Sequence, residues 1–185
     1  MRRATTLGTL LLAATLAVSC ADQNPKPTAP EVDAASVRAT ATGHRYFIAA
    51  LRGESEVPPV TTDAVGSAGV MVNADGQGLT YMILVGRIDN VHMAHIHLGP
   101  PGAIGPVVAW LYPPSPPPAL IPGETNGVLA EGEITAANLV GPLAGQPISA
   151  LIEQIHAGNT YLNVHTQQNG GGEIRGQLGR LEFTR

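Results

Sequence analysis

Apolar and polar residues alternate in short runs along most of this chain, the period-two signature of strands with one covered face. The first run, 45–51, reads Arg-Tyr-Phe-Ile-Ala-Ala-Leu. Runs at 66–72 and 79–85 flank Asn73-Ala74-Asp75-Gly76-Gln77-Gly78, residues that tolerate positive φ, and so predict a hairpin. Further strands are predicted at 91–98, 107–112, 127–134, 160–166 and 173–183, with a loop at 99–105 and a glycine-rich turn at 167–172. Proline removes a ladder donor. Val57-Pro58-Pro59-Val60 therefore predicts an edge or a rigid loop, and the six prolines from 113 to 122 predict an exposed polyproline-like excursion. A helical period is clear only once. Ile148, Leu151, Ile152 and Ile155 form an apolar stripe between Pro147, suited to a first helical position, and Gly158, suited to the position past the end. This predicts a helix over 148–157, and a short helical turn is expected at 136–139. About eight short strands and one connecting helix predict an all-β domain, an antiparallel Greek-key β-sandwich or flattened barrel.

Composition agrees with that reading. Of 185 residues, 22 are glycine and 16 proline, and only 13% are charged, as a turn-rich β domain requires. The first 44 residues stand apart. Arg2 and Arg3 precede an apolar stretch at 7–17, too short to span a bilayer, and the single cysteine follows in Leu16-Ala17-Val18-Ser19-Cys20. This resembles a bacterial lipobox, in which that cysteine is lipidated and becomes the mature N-terminus. One cysteine also excludes an intramolecular disulfide. The expected organisation is a lipoprotein signal peptide at 1–19, a flexible tether at 20–44, and a globular domain at 45–185. Such a chain is expected at the cell envelope, joined to a membrane through its lipid at the outer membrane or periplasmic face, or else secreted. Loss of Arg2 and Arg3 takes the net charge from −4 to −6, and there is no Lys/Arg cluster, so nucleic acid is not an expected partner.

Candidate chemistry sits on two predicted strands. His95 and His97 are two apart and share a face, and His165 lies within 160–166. Three neutral imidazoles on neighbouring strands suit copper, zinc or nickel. Glu173 opens the strand expected to pair with 160–166, where its carboxylate would orient His165. Asn163 shares a face with His165 and is expected to bond loop backbone. Arg175 shares a face with Glu173 and is expected to clamp a neighbouring loop. In the competing arrangement the three rings donate to backbone carbonyls, knit the 99–105 and 167–172 loops, and bind no metal. His92, three residues before His95, faces the other way in a regular strand unless a bulge re-aims it. His156 suits the last turn of the helix, and Met71, Met82 and Met93 are spaced like core filler. No Gly-x-Ser-x-Gly setting and no phosphate-binding glycine loop is present, so no catalytic residue is assigned.

Five blocks in order carry a resemblance to the CHRD (chordin-type) domain, in the form found in bacterial exported proteins. They are Glu56-Val57-Pro58-Pro59-Val60, Ala94-His95-Ile96-His97-Leu98-Gly99, Gly105-Pro106-Val107-Val108, Gly158-Asn159-Thr160-Tyr161-Leu162-Asn163-Val164-His165-Thr166 and Gly172-Glu173-Ile174-Arg175-Gly176-Gln177-Leu178. The resemblance covers 46–183 and implies an all-β extracytoplasmic domain without a settled activity. A weaker likeness is to copper–zinc superoxide dismutase, also a Greek-key sandwich with a His-x-His pair and a later histidine as copper ligands. That family's bridging histidine cluster, zinc-ligand aspartate and disulfide cysteines have no evident counterparts here. The expected function is a non-enzymatic, lipid-anchored binding module that holds copper or zinc at His95, His97 and His165. The alternatives are a superoxide-dismutase-like metalloenzyme and a purely structural or adhesive envelope module without metal.

Overall fold

The computed structural model describes residues 45–180. The predicted signal peptide, lipidation at Cys20, the tether and the end of the last predicted strand lie outside the described residues. The strands are β1 (Tyr46–Arg52), β2 (Val65–Val72), β3 (Gly78–Asp89), β4 (Val91–Leu98), β5 (Val107–Tyr112), β6 (Glu124–Thr135), β7 (Thr160–Thr166), β8 (Ile174–Gln177) and β9 (Gly179–Arg180). They form one sheet in the order β5-β4-β7-β8-β1-β2-β3-β6, with β9 also pairing β1. Every pairing is antiparallel. The chain just after β6 draws the two outer strands together. Ala109 on β5 bridges Leu139, and the Val140 N–H donates to the Val108 carbonyl at 3.0 Å. The all-β expectation is met as a flattened, nearly closed barrel.

Alternation decides what lies inside. Phe47, Ala49 and Leu51 of β1 face the core with Leu79, Tyr81, Ile83 and Val85 of β3, while Tyr46, Ile48 and Met82 stay exposed. The methionines therefore depart from expectation: Met82 is 42% exposed and Met71 half-buried, because strand parity outweighs their apolar character. The helix α1 (Ile148–His156) buries Ile148, Leu151 and Ile155 and stops before Gly158 at φ +72. His156 in its last turn meets the Phe47 ring edge-on, centroids 4.9 Å apart.

Three boundaries differ from the sequence pattern. β3 and β6 run longer than 79–85 and 127–134, because two bulges and Arg87 at φ +56 carry their pairing past the apparent ends. The last strand is broken at Leu178, whose side chain is wholly buried and whose N–H turns to the Thr160 carbonyl. The proline segment is tied down on its return: the N–H groups of Ala119 and Ile121 donate to the carbonyls of His92 and Val91.

One part of the wall is covered on both sides. Ala94, Ile96, Leu162 and Val164 of β4 and β7 face the core, and the intervening His95, His97, Tyr161, Asn163 and His165 are buried as well. For the barrel itself, Ile83→Ala removes a fully buried side chain from β3 and is expected to lower the unfolding free energy by about 2–5 kcal/mol, read from urea denaturation.

Candidate metal centre

The register between β4 and β7 builds the centre. His95 stands opposite Asn163, His97 opposite Tyr161 and Met93 opposite His165. All three histidines thus lie on the outer face of the wall, with His165 diagonal to His95, within side-chain reach across a ladder. The next strands extend the rows: Trp110 of β5 pairs with His95, Arg175 of β8 with Asn163 and Gln177 with Tyr161.

The rings converge. One nitrogen from each of His95, His97 and His165 lies within 4.8 Å of the other two. All three therefore fall within about 2.8 Å of a common point, against zinc–nitrogen bonds of roughly 2.0–2.1 Å. Two imidazoles sharing such an ion have ring centres about 4.5–6.4 Å apart. The three pairs here stand at 4.9, 5.6 and 6.1 Å.

Hydrogen bonds set the tautomers. A carbonyl only accepts, so His97 Nδ1–H donates to the Gly105 carbonyl at 2.9 Å and His165 Nδ1–H to the Gly170 carbonyl at 3.0 Å. His165 Nε2 then holds a lone pair and accepts from His95 Nδ1–H at 3.1 Å. This leaves Nε2 of His95 and of His97 as lone-pair nitrogens, both buried and without a hydrogen-bond partner among the described residues. Two of the three rings knit loops as the structural arrangement expects, while His95 donates to His165 instead of a backbone carbonyl. One nitrogen of His97 and of His165 holds a loop, as the structural arrangement requires, and the other Nε2 faces the cluster.

Burial pushes all three rings toward the neutral form. His95 falls to about 3, by desolvation and then by its neighbours His165, His97 and His92. His165 falls to about 4 by desolvation, which the Gly170 carbonyl partly offsets. His97 is lowered by desolvation too, against the Gly105 carbonyl and the Asn163 side chain. Neutral imidazole is the ligating form.

The surrounding residues are assigned differently from the sequence reading. Glu173 does not bond His165. Its buried carboxylate accepts from Thr62 Oγ1 (2.7 Å), Thr166 Oγ1 (2.6 Å), Asn169 Nδ2 (3.0 Å) and Gln168 Nε2 (3.2 Å). It pins the 167–172 turn and so acts on His165 through the position of Gly170. Asn163 lies beside Glu56 and His97, and its buried Oδ1 has no hydrogen-bond partner among the described residues. Arg175 clamps a loop as expected, donating to the Ala103 carbonyl at 2.8 Å, and its guanidinium also lies 3.3 Å from the centre of the Tyr161 ring. That ring stacks on His97, 4.7 Å between centroids and 9° from parallel.

Three residues escaped the sequence reading. Tyr161 was visible only as a strand neighbour of Asn163. Trp110, 4.3 Å from the His95 ring, comes from a strand whose partner could not be told from sequence. Glu56 lies at the far end of the chain segment but is buried beside Asn163 and Gly172. Its carboxyl is raised to about 7 by desolvation, against Arg175, Asn163 and the Val57 N–H. Two glycines make room. A Cβ on Gly105 would strike the Leu98 carbonyl, and one on Gly172, at φ +125, would strike Glu56 Oε1.

These shifts have opposite linkage signs. As pH falls below 6.5 the unfolded chain protonates His95 and His165, whereas the folded chain resists until about pH 3 and 4, so stability drops over that window. Glu56 keeps its proton to about pH 7 when folded and loses it near 4.5 when unfolded, so its contribution weakens as pH rises between those values. In the metal-free protein, ring nitrogen NMR shifts of His95 and His165 are expected to remain those of neutral imidazole at pH 5. A half-titrated ring at that pH would contradict the buried geometry.

Comparison with known families places these residues together. The CHRD domain model matches residues 47–178, a span that contains the three histidines together with Glu56, Trp110, Tyr161, Asn163, Glu173 and Arg175. Searches of the curated proteins and of the solved structures returned no match. The chain belongs to the CHRD domain family.

Proposed function

We propose that this CHRD domain is a non-enzymatic binding module that holds a transition-metal ion, copper ahead of zinc, at His95, His97 and His165. It works outside the cytoplasm, anchored to the envelope by lipid on Cys20. The observation that supports metal binding most is the set of buried Nε2 lone pairs: among the described residues two lack a hydrogen-bond partner, and the third is engaged by another ring of the cluster. A structural role needs the Nδ1 bonds alone, and a buried polar atom left unsatisfied costs about 1–3 kcal/mol. An ion would replace the His95–His165 hydrogen bond and take one lone pair from each of the three rings. An all-imidazole donor set suits copper and zinc and disfavours the oxygen-seeking calcium and magnesium.

Titrating the full chain with Cu(II), Cu(I) and Zn(II) by calorimetry is expected to give micromolar or tighter binding. His95→Ala/His97→Ala should weaken it by about a hundredfold or more, since even outer partners of a metal site are worth ten- to a hundredfold. Millimolar affinity in the wild type, or unchanged affinity in the double variant, would overturn the reading. For the anchor, incorporation of labelled fatty acid into the expressed chain is expected to disappear in Cys20→Ala; retained label would place the lipid elsewhere.

A further inference from the structure

His92 stands apart from the three rings just described, and the strand should turn it away from them. The structure does otherwise. The pairing of β4 with β7 slips between Val91 and Met93, leaving His92 out of the ladder at a bulge. A bulge changes the facing of the extra residue. Here it brings the His92 ring to within 6.5 Å of His165, centroid to centroid, at 77°. That separation is just beyond the roughly 6.4 Å of two imidazoles opposed across one ion. His92 also lies outside the set of three whose nitrogens are within 4.8 Å of one another, so its ring must close in to ligate. The His92 Nε2 atom is buried and has no hydrogen-bond partner among the described residues, like Nε2 of His95 and His97. His92 as a whole is only half-buried, while the other three rings are buried. It therefore forms the solvent-side edge of the cluster. The bulge is held by the returning proline segment, which donates from Ala119 to the His92 carbonyl at 3.2 Å and from Ile121 to the Val91 carbonyl at 2.8 Å.

We infer that His92 is a fourth ligand of this centre, closing on the ion from the solvent side and completing a four-imidazole set selective for Cu(II). The inference rests on the metal-binding reading above. Four nitrogens with one opposed pair suit the tetragonal preference of Cu(II). Zn(II) is content with three protein ligands and a water in tetrahedral array, so His92 matters for one metal and hardly for the other.

The test uses the full chain as wild type, His92→Phe and His92→Gln, with thermal melting to verify folding of the two variants. Pulsed EPR on the Cu(II)-loaded protein is expected to count four imidazole nitrogens in the wild type and three in either variant. Cu(II) affinity should fall by at least about tenfold, the lower end of what supporting residues of a metal site contribute, while Zn(II) affinity changes less than threefold. An unchanged nitrogen count overturns the inference and leaves the three-histidine site standing. Equal loss of both metals also overturns it, since that marks a structural role for the bulge. Failure of the wild type to bind either metal removes this inference together with the reading beneath it.

Discussion

The antiparallel register of β4 against β7 governs everything distinctive about this molecule. With His95 opposite Asn163 and His97 opposite Tyr161, the inward residues Ala94, Ile96, Leu162 and Val164 join the core while the polar set is thrown onto the outer face. A slip of one residue by either strand would turn that strand's polar set into the barrel interior, His95 and His97 from β4 or Asn163 and His165 from β7. The apolar core therefore enforces the register, and the register assembles the histidines. Fold and site are products of the same alternation.

An outer sheet face would ordinarily meet water, but this one is roofed by the 99–105 and 167–172 segments. The roof is attached through the site itself. His97 holds Gly105, His165 holds Gly170, Arg175 holds Ala103 and Glu173 gathers Thr62, Thr166, Gln168 and Asn169. Burial that follows from this roofing keeps the rings neutral, and neutrality makes their nitrogens available as ligands. The same contacts that order the loops thus prepare the donor set. Loop-knitting and ligation are not exclusive roles, because each ring has two nitrogens.

The strands and the helix were legible because parity and the 3.6-residue period survive in short local windows. His95 and His97 were legible as a pair for the same reason, and His165 as a strand histidine. What failed was anything that depended on a contact between distant segments or on a broken rule. Strand adjacency assigns Glu173 to His165, but the turn between them supplies the acceptor, the Gly170 carbonyl. Glu56 sits in a proline-flanked stretch with no periodicity, so nothing local marked it as buried. Strict alternation faces His92 away from His95, and a bulge reverses it. Met82 is spaced like core filler, and strand parity places it outside.

By itself, then, the amino-acid sequence determined the all-β class, the helix, the family blocks and the common face of His95 and His97, since each is a statement about residues near one another along the chain. The tertiary structure alone decided that His165 joins that pair, that Trp110, Tyr161 and Glu56 surround it, that a bulge swings His92 toward it, and that the outer face is sealed from water. Those outcomes depend on strand order, register and loop closure, which arise from the packing of the whole barrel and leave no periodic trace in any one segment.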